Sequence, residues 1–411
     1  MHVIKPLFYL TAFLPASLVG LHAAQPTPAE HAAAAQWAQT HLQTDRENVP
    51  FSFVLAGKAW NDLPGTCRKH QKTRELDAQC LEHTRTWRDD ASCLHVRLVA
   101  VEYADFPVVE WTVWLKNTGK DNTPLLENIR GLDVGFERTA GGEYVLHGIR
   151  GDSCVAESFR PYAHTLGPDA VKRFSPPVAG DKVSGKSSDG PDGWPYWNLQ
   201  RPGGGVILAV GWPGQWEATF TRDHGRGLRV KAGQQLTHLV LKPGEEIRTP
   251  SITLLFWQGD DVVRAQNLWR SWYVAHVLPR IGAVRQPPAT QIQVDGSLAN
   301  WPNVQAYLDA GITPDICWRD AGGRNTWYPS AGGPFNEPNK TWLNTGTWEV
   351  DRQRFPHGLR QVAGRMRSMD EGSLLLADGR IAGYPRPVNL MNYNLDAFPD
   401  LRRRLSTGQR L

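Results

Sequence analysis

The sequence predicts a multi-domain protein of the β and α/β classes, in which a β-sandwich precedes part of an α/β barrel. Its 411 residues are enough for two domains of ordinary size. From residue 49 to residue 257, short apolar runs alternate with turns rich in Gly, Pro, Asn and Asp, which is typical of a sandwich. From residue 291 onward, strand-like and helix-like runs alternate, which indicates parallel strands connected by helices.

Residues 1 to 24 predict a secretion signal. Lys5 precedes an apolar run from Leu7 to Leu21, and the small residues Ala23 and Ala24 follow it. A run of about 15 residues is short for a membrane span, which needs about 20. We therefore expect a periplasmic or secreted protein that has no membrane partner.

The first domain, residues 25 to 282, is expected to begin with an Ala-rich helix at residues 29 to 43. Among its strands, the one at residues 108 to 115 places Trp111, Val113 and Leu115 on one face. Further strands are predicted at residues 96–103, 206–212, 228–231, 237–241 and 252–257.

A closing helix at residues 264 to 277 ends this domain. Its apolar positions, at helix-like spacing, are Leu268, Trp272, Ala275 and Val277, and Pro279 helps to stop it. The two prolines between residues 283 and 290 are typical of a linker.

The second domain, residues 291 to 411, predicts an incomplete (β/α)8 TIM-type barrel. A strand at residues 292 to 294, a helix at 304 to 310 and a strand at 312 to 318 form its first unit, and Pro356 leads into a further helix. A complete barrel takes about 250 residues. Only 121 residues follow position 290, so we expect about half a barrel.

Five cysteines raise the question of metal binding against disulfide formation. Cys67 and His70, with Cys80 and His83, offer two thiols and two imidazoles, which suits tetrahedral zinc. The alternative is a disulfide among Cys67, Cys80 and Cys93, which an exported chain favours. We expect the disulfide and no metal, with at least one cysteine left over because the count is odd.

Charge and motifs argue against nucleic-acid and nucleotide ligands. The net charge is +4 without long blocks of one sign, so no nucleic-acid surface is expected. Residues 180 to 187, GDKVSGKS, match a phosphate-loop pattern, but two prolines precede them and the turn-rich SDGPDGW follows. That motif needs a buried strand before it and a helix after it. We expect no cofactor.

The candidate ligand site lies after the strand that ends at Trp318. Asp320 follows the carboxyl end of that strand, where barrels carry their chemistry, and the long loop beyond it contains Trp327 and Trp348. A carboxylate that accepts two hydroxyl hydrogen bonds beside an indole face suits a monosaccharide. The alternative is that Asp320 caps the next helix or pairs with a neighbouring arginine.

Several segments, in this order, resemble the melibiase-type α-galactosidases. These are retaining glycosidases with an N-terminal β-supersandwich and a catalytic α/β barrel. The similar stretches fall between about residues 200 and 365, with CWRDAGG similar to the first barrel strand of the family. They are GGGVILAVGWPGQWEATF, LKPGEEIRTPSITLLFWQGD, RAQNLWRSW, CWRDAGG and NTGTWEVDRQRFPHGL.

The resemblance implies a galactose subsite in which Asp320 holds sugar hydroxyls and Trp348 forms an aromatic wall. Trp318 and Trp327 are further substrate-binding candidates. Trp194 and Trp197 of the sandwich are weaker candidates, for which a role in the sandwich core is favoured.

The sequence also departs from the family pattern. Thr347 stands where the family has an acid, and the tail acids Asp378, Asp396 and Asp400 match neither the nucleophile nor the acid/base. No catalytic pair is therefore assigned, and we expect a chain that ends before those residues. The resulting hypothesis is an exported α-galactosidase-like hydrolase of α-galactosides that can associate into oligomers. The alternative is a non-catalytic carbohydrate-binding protein or pseudoenzyme.

Overall fold

The computed structural model shows two compact units, Met1–Val277 and Leu278–Leu411. The residues that the structure describes are 24–43, 48–60, 68–139, 141–153, 155–179, 182–183, 188–278, 280–281, 284–285, 291–293, 306–312 and 316–318.

The first helix, α1, spans Pro28–Leu42, as its alanine-rich sequence predicts. Thr27 caps it: its Oγ1 accepts from the Glu30 main-chain N at 3.2 Å, and the Glu30 carboxylate accepts from the Thr27 main-chain N at 2.7 Å. Ala34, Ala38 and Leu42 form its buried face. The helix therefore packs onto the sheet through two alanines and a leucine at a spacing of four.

The first unit is built mainly of strands, which confirms the predicted sandwich. The six strands predicted above are all present, with ends that differ by a few residues. The strands are β1 Ser52–Leu55, β2 Lys58–Ala59, β3 Arg68–Asp77, β4 Cys80–Asp89, β5 Leu94–Tyr103, β6 Val108–Asn117, β7 Leu126–Arg130, β8 Leu132–Glu137, β9 Tyr144–Ile149, β10 Pro161–Leu166, β11 Val171–Phe174, β12 Val178–Ala179, β13 Lys182–Val183, β14 Tyr196–Arg201, β15 Gly204–Gly211, β16 Trp216–Arg222, β17 Gly227–Gln234, β18 His238–Leu239, β19 Glu246–Arg248 and β20 Ser251–Gln258.

One large antiparallel sheet runs through the first unit in the order β10-β9-β14-β15-β20-β6-β5-β4-β3, and β19 also pairs with β6. Two four-stranded sheets, β11-β16-β17-β8 and β18-β7-β1-β2, accompany it. Trp111, Val113 and Leu115 alternate with less buried residues along β6, as predicted. They share one core with side chains of both smaller sheets, such as Phe220 and Leu126. The three sheets therefore enclose a single apolar interior.

Tryptophan fills much of this interior. Trp111 donates from Nε1 to the main-chain oxygen of Gly131 at 2.8 Å. Trp257, which packs against the closing helix in a second apolar cluster, donates to Oδ1 of Asn198 at 2.9 Å. Pairing the indole N–H in this way lets so large a side chain be buried at little polar cost. The fully buried tryptophans of the described chain are Trp60, Trp87, Trp111, Trp197, Trp216 and Trp257.

The closing helix covers the outer face of the large sheet, but it is not one uniform α-helix. Helix α2 spans Val262–Trp272, and a π-helix at Tyr273–Val277 continues it. In the α-helical part Leu268 and Trp272 are buried, as predicted, whereas Val277 is 39% exposed. A π-helix has more residues per turn, which rotates later side chains away from the buried face. The prediction that one helix-like apolar pattern continues to Val277 is therefore wrong, whereas Ala275 is half-buried.

Helices α1 and α2 are tied together by a buried carboxylate. Glu30 has a side chain with 0% exposure, and its two oxygens accept from Arg264 at 2.6 and 2.9 Å. The same carboxylate accepts from the main-chain N of Gln258, at the end of β20, at 2.8 Å. The first helix, the last strand and the closing helix thus meet at one residue.

The strand register corrects the predicted cysteine chemistry. Cys80 begins β4, and Cys93 lies beyond its other end, about 30 Å away at 3.3 Å per residue. They cannot form a disulfide, which needs Cα atoms within about 7 Å, and Cys93 is a free thiol. Cys67 lies outside the described residues, so its pairing stays untested.

The zinc alternative fails for the same geometric reason. His70 pairs with Thr86, six residues along β4 from Cys80, which separates these two ligands by about 20 Å. Across the part of the chain that the structure describes, no three His, Cys, Asp or Glu side chains form a metal-binding group.

In the second unit, the described strands are β21 Arg280–Ile281, β22 Val284–Arg285, β23 Gln291–Gln293 and β24 Ile316–Trp318. β21 and β22 form an antiparallel pair, whereas β23 and β24 are parallel, with helical residues 306–309 between them in sequence. The predicted strand, helix and parallel strand are thus present, and the remaining barrel stays a prediction. No helix within the described residues is both long and apolar enough to span a membrane.

Candidate functional site

The parallel pair β23–β24 forms the base of the predicted site. Its register places Gln291 beside Ile316, Ile292 beside Cys317 and Gln293 beside Trp318. The carboxyl ends of both strands therefore lie at the same edge, which is where ligands bind in parallel α/β structures. Asp320 follows two residues after β24, outside the described residues.

A short helical connection sets the direction of β24. Gly311 follows the helical residues with φ of +74°, a left-handed conformation that glycine adopts without strain. The main-chain N of Gly311 donates to Leu308 O, and that of Ile312 donates to Tyr307 O, both at 2.9 Å. These bonds end the helix at Gly311, and the chain can then enter a strand parallel to β23.

The structure describes one of the four predicted substrate-binding residues. Trp318 ends β24, so its main chain lies at the carboxyl edge of the parallel pair. Asp320, Trp327 and Trp348 lie outside the described residues, and their predicted meeting around a sugar stays a prediction.

The two sandwich tryptophans that were weaker candidates have different surroundings. Trp197 has 0% exposure and donates from Nε1 to the Tyr162 hydroxyl at 3.1 Å. Burial raises the pKa of the Tyr162 phenol, an effect that this hydrogen bond opposes. Trp197 is therefore a core residue, as favoured. Trp194 is half-buried and packs edge-on against the exposed Phe159, with ring centroids 5.5 Å apart.

A cavity of about 440 Å³ lies between α1 and the ends of β3 to β6. Three carboxylates line it, those of Glu75, Asp77 and Glu102. Glu102 is already engaged, because its Oε1 lies 2.7 Å from Nε2 of His83 and accepts from Nε2 of Gln43 at 2.9 Å. These contacts hold Glu102 as a structural group, which leaves the exposed carboxylates of Glu75 and Asp77 on the cavity wall.

Sequence spacing did not predict one cluster, formed by Cys80, His276 and Asp105. Sγ of Cys80 lies 3.9 Å from Nδ1 of His276, and Nε2 of His276 lies 2.9 Å from the Asp105 carboxylate. The three residues come from β4, the π-helix and the turn after β5. No local pattern links such distant positions, so only the fold reveals the cluster.

Solved structures with a similar fold are α-galactosidases. The α-galactosidase from Lactobacillus brevis matches with a TM-score of 0.57 and 15% identity, covering 79% of this chain and 43% of that one. The GH36 α-galactosidase AgaB from Geobacillus stearothermophilus matches with a TM-score of 0.54 and 17% identity over 79% and 45%. A variant of AgaA from the same organism, in complex with raffinose, matches with a TM-score of 0.54 and 18% identity, covering 79% of this chain and 45% of that one.

The chain has the fold of the N-terminal part of GH36 α-galactosidases. This finding confirms the resemblance drawn from the sequence segments and the β-supersandwich expected from it. The chain spans less than half the length of these solved structures. Comparison with protein-family models and with curated proteins gave no match.

Proposed function

We propose that this chain belongs to an exported α-galactosidase-like glycoside hydrolase and holds the galactose end of an α-galactoside. The observation that carries the proposal is the order of the fold. An α-galactosidase-like sandwich precedes a parallel strand pair, and Asp320 follows the second strand by two residues. AgaA variants in complex with stachyose and with raffinose support this class of ligand.

The proposed subsite recognises the polar hydroxyls and the apolar C–H face of the sugar with different side chains. The Asp320 carboxylate accepts hydrogen bonds from two neighbouring sugar hydroxyls, which a charged acceptor makes stronger than a neutral one would. The indoles of Trp318, Trp327 and Trp348 offer flat surfaces to the C–H face of the ring. The subsite therefore orients the galactose without taking part in bond breaking.

Bond breaking in the proposed complete enzyme follows the retaining mechanism. One carboxylate attacks the anomeric carbon while a second protonates the departing glycosidic oxygen, and water then releases the sugar with the second group acting as base. The two carboxyl groups of such enzymes lie about 5 to 5.5 Å apart. No residue of this chain is assigned to either role.

Export is part of the proposal. The apolar run from Leu7 to Leu21, preceded by Lys5 and followed by two alanines, supports a signal peptide. Expression of the full reading frame, followed by N-terminal sequencing of the protein outside the cytoplasm, tests it. A protein that stays in the cytoplasm with Met1 in place would contradict this part.

Calorimetric titration with raffinose tests the subsite. We expect binding by the unchanged chain, at least a tenfold loss of affinity in Asp320→Asn, and no binding of maltose, which lacks galactose. The control is Asp260→Asn, because Asp260 is an exposed carboxylate just before α2. If raffinose does not bind, or if the two variants bind alike, the proposed subsite is wrong.

A second candidate function is carbohydrate binding without hydrolysis. It is favoured by Thr347, which stands beside Trp348 where the family has an acid. Release of galactose from raffinose, measured over a long incubation, separates the two functions. Binding without release identifies a carbohydrate-binding protein, whereas release that tracks the chain through purification identifies a hydrolase.

A further inference from the structure

The cluster of Cys80, His276 and Asp105 has the arrangement of an activated thiol. Nε2 of His276 lies 2.9 and 3.0 Å from the two Asp105 oxygens. An ionised carboxylate only accepts hydrogen bonds, so Nε2 carries the ring hydrogen. The lone pair of Nδ1 then faces Sγ of Cys80 at 3.9 Å, where it competes with the Asp77 carboxylate for the thiol proton.

The imidazole is fixed by packing as well as by Asp105. Tyr103 meets its ring at a centroid distance of 4.7 Å and Phe106 at 5.8 Å, both at steep angles. The side chain of His276 is 13% exposed, and that of Asp105 is 32% exposed. The ring therefore cannot turn away easily, while the Asp105 end of the cluster stays open to water.

Three effects act on the Cys80 proton, one in favour of its release and two against it. The imidazolium that forms on proton transfer is stabilised by Asp105, which favours a thiolate. Burial of Cys80, which is 4% exposed, opposes the charge. Asp77 also opposes it, because its carboxylate accepts a hydrogen bond from the Cys80 side chain. This carboxylate is exposed and also accepts from the main-chain N of Gln79 at 2.8 Å, so water screens much of its effect.

We propose that Cys80 is an oxidisable thiol whose co-reactant is hydrogen peroxide or another small peroxide. The Cys80 proton moves to Nδ1 of His276, and the thiolate attacks one peroxide oxygen. An S–O bond forms as the O–O bond breaks, and the departing hydroxide takes the proton back from His276 and leaves as water. The sulfur is oxidised by two electrons to a sulfenic acid, and the peroxide is reduced. The low exposure of Cys80 selects small oxidants.

The native chain carries its own control in Cys93. Cys93 is a free thiol that is more exposed than Cys80, and its Sγ lies 3.8 Å from the main-chain oxygen of Asp90 rather than beside an imidazole. The chain is treated with hydrogen peroxide, sulfenic acid is trapped with dimedone, and each cysteine peptide is quantified by mass spectrometry. We expect Cys80 to be labelled at least tenfold faster than Cys93 at pH 7. Equal rates, or faster labelling of Cys93, would overturn the proposal.

Variants distinguish activation of the Cys80 thiol by His276 from simple access of the oxidant to it. His276→Gln keeps a polar side chain but removes the base, and we expect the Cys80 rate to fall at least tenfold; Asp105→Asn should lower it by a smaller factor. His238→Gln is the matched control, because His238 pairs with Glu127 at 3.1 Å on the exposed surface. Circular dichroism and thermal melting establish that each variant is folded. A folded His276→Gln with an unchanged Cys80 rate contradicts the role of His276, and the comparison with Cys93 decides the proposal without any variant.

Discussion

Replacing Glu30 by alanine is expected to destabilise the first unit strongly, because one carboxylate connects three elements. The substitution removes the acceptor for Arg264, for the main-chain N of Gln258 and for that of Thr27. The Glu30 side chain has 0% exposure. The donors that lose their acceptor are therefore poorly hydrated, and leaving them unpaired costs free energy. Helix α1, strand β20 and helix α2 lose their common contact.

The magnitude follows from the exposure of each group. Removing one partner of a buried ion pair costs about 3 to 5 kcal/mol, but the Arg264 side chain is 27% exposed and can be partly rehydrated. The unpaired N–H of Gln258 and the lost cap of α1 add to the cost, although such terms are not independent. We expect a fall of about 3 to 4 kcal/mol in the free energy of unfolding for Glu30→Ala, and about half of that for Glu30→Gln, which keeps one acceptor.

The pH dependence of the stability loss tests the role of the Glu30 carboxylate more specifically than the size of the loss does. Burial raises the pKa of Glu30, but the Arg264 pair and the main-chain hydrogen bonds together hold it below its ordinary value of 4.5. A carboxyl group with a lowered pKa in the folded state contributes stability that is fully present above its unfolded pKa. That contribution is lost as the pH falls through the folded pKa. The difference in the free energy of unfolding between the unchanged chain and Glu30→Gln should therefore be largest at pH 6 to 7 and shrink below about pH 4.

Urea unfolding followed by tryptophan fluorescence measures this effect, since the indoles lie in the sandwich core. Glu157→Ala is the control, because Glu157 is exposed on a turn, and it should change the free energy by less than about 0.5 kcal/mol. A loss below about 1 kcal/mol for Glu30→Ala, or a loss that is the same at pH 7 and pH 3.5, would refute the reasoning.

Three further predictions concern the same unit. Trp197→Ala should cost about 3 to 5 kcal/mol by urea unfolding, while raffinose affinity at a temperature where the variant is folded stays unchanged; a selective loss of binding would contradict its core role. Arg222→Met should cost about 3 kcal/mol or more, because the fully buried guanidinium pairs with Glu143 and Asp223; a neutral result would show that packing alone suffices there. Leu236→Asn should stabilise by about 0.5 to 1 kcal/mol, because Leu236 is 73% exposed with φ of +57°; a lower melting temperature would be inconsistent with strain at this turn.

The elements that sequence reasoning predicted well are those specified by neighbouring residues. Helix α1 follows from an alanine-rich run, and β6 follows from strict alternation around Trp111 and Val113. Such patterns are local, so they survive whatever surrounds them. The closing helix was predicted as one α-helix because its apolar spacing continues past Trp272, whereas a change of helix type depends on tertiary packing.

Features that depend on register or on distant contacts could not be read from spacing. Cys80 and Cys93 looked like disulfide partners until β4 placed them at opposite ends of one strand. The pairing of Cys80 with His276 joins positions 196 residues apart. Trp197 was a weaker candidate for sugar binding, but among the described residues it is one of five fully buried indoles that fill the sandwich core. For the candidate site, the parallel strands were predictable, and the side chains of Asp320 and Trp348 lie outside the described residues.

The position of β20 in the large sheet has a consequence for how the protein is made. Residues 108 to 117 form β6, yet one of its neighbours is β20, where Ile252 pairs with Trp111. At about 5 to 20 residues per second, a ribosome needs roughly 7 to 28 seconds to make the intervening chain. During that time the strands from β3 to β6 can pair with one another, but β6 cannot yet pair with β20. Nascent chains should therefore depend on slow synthesis or on chaperones until residue 258 has left the exit tunnel.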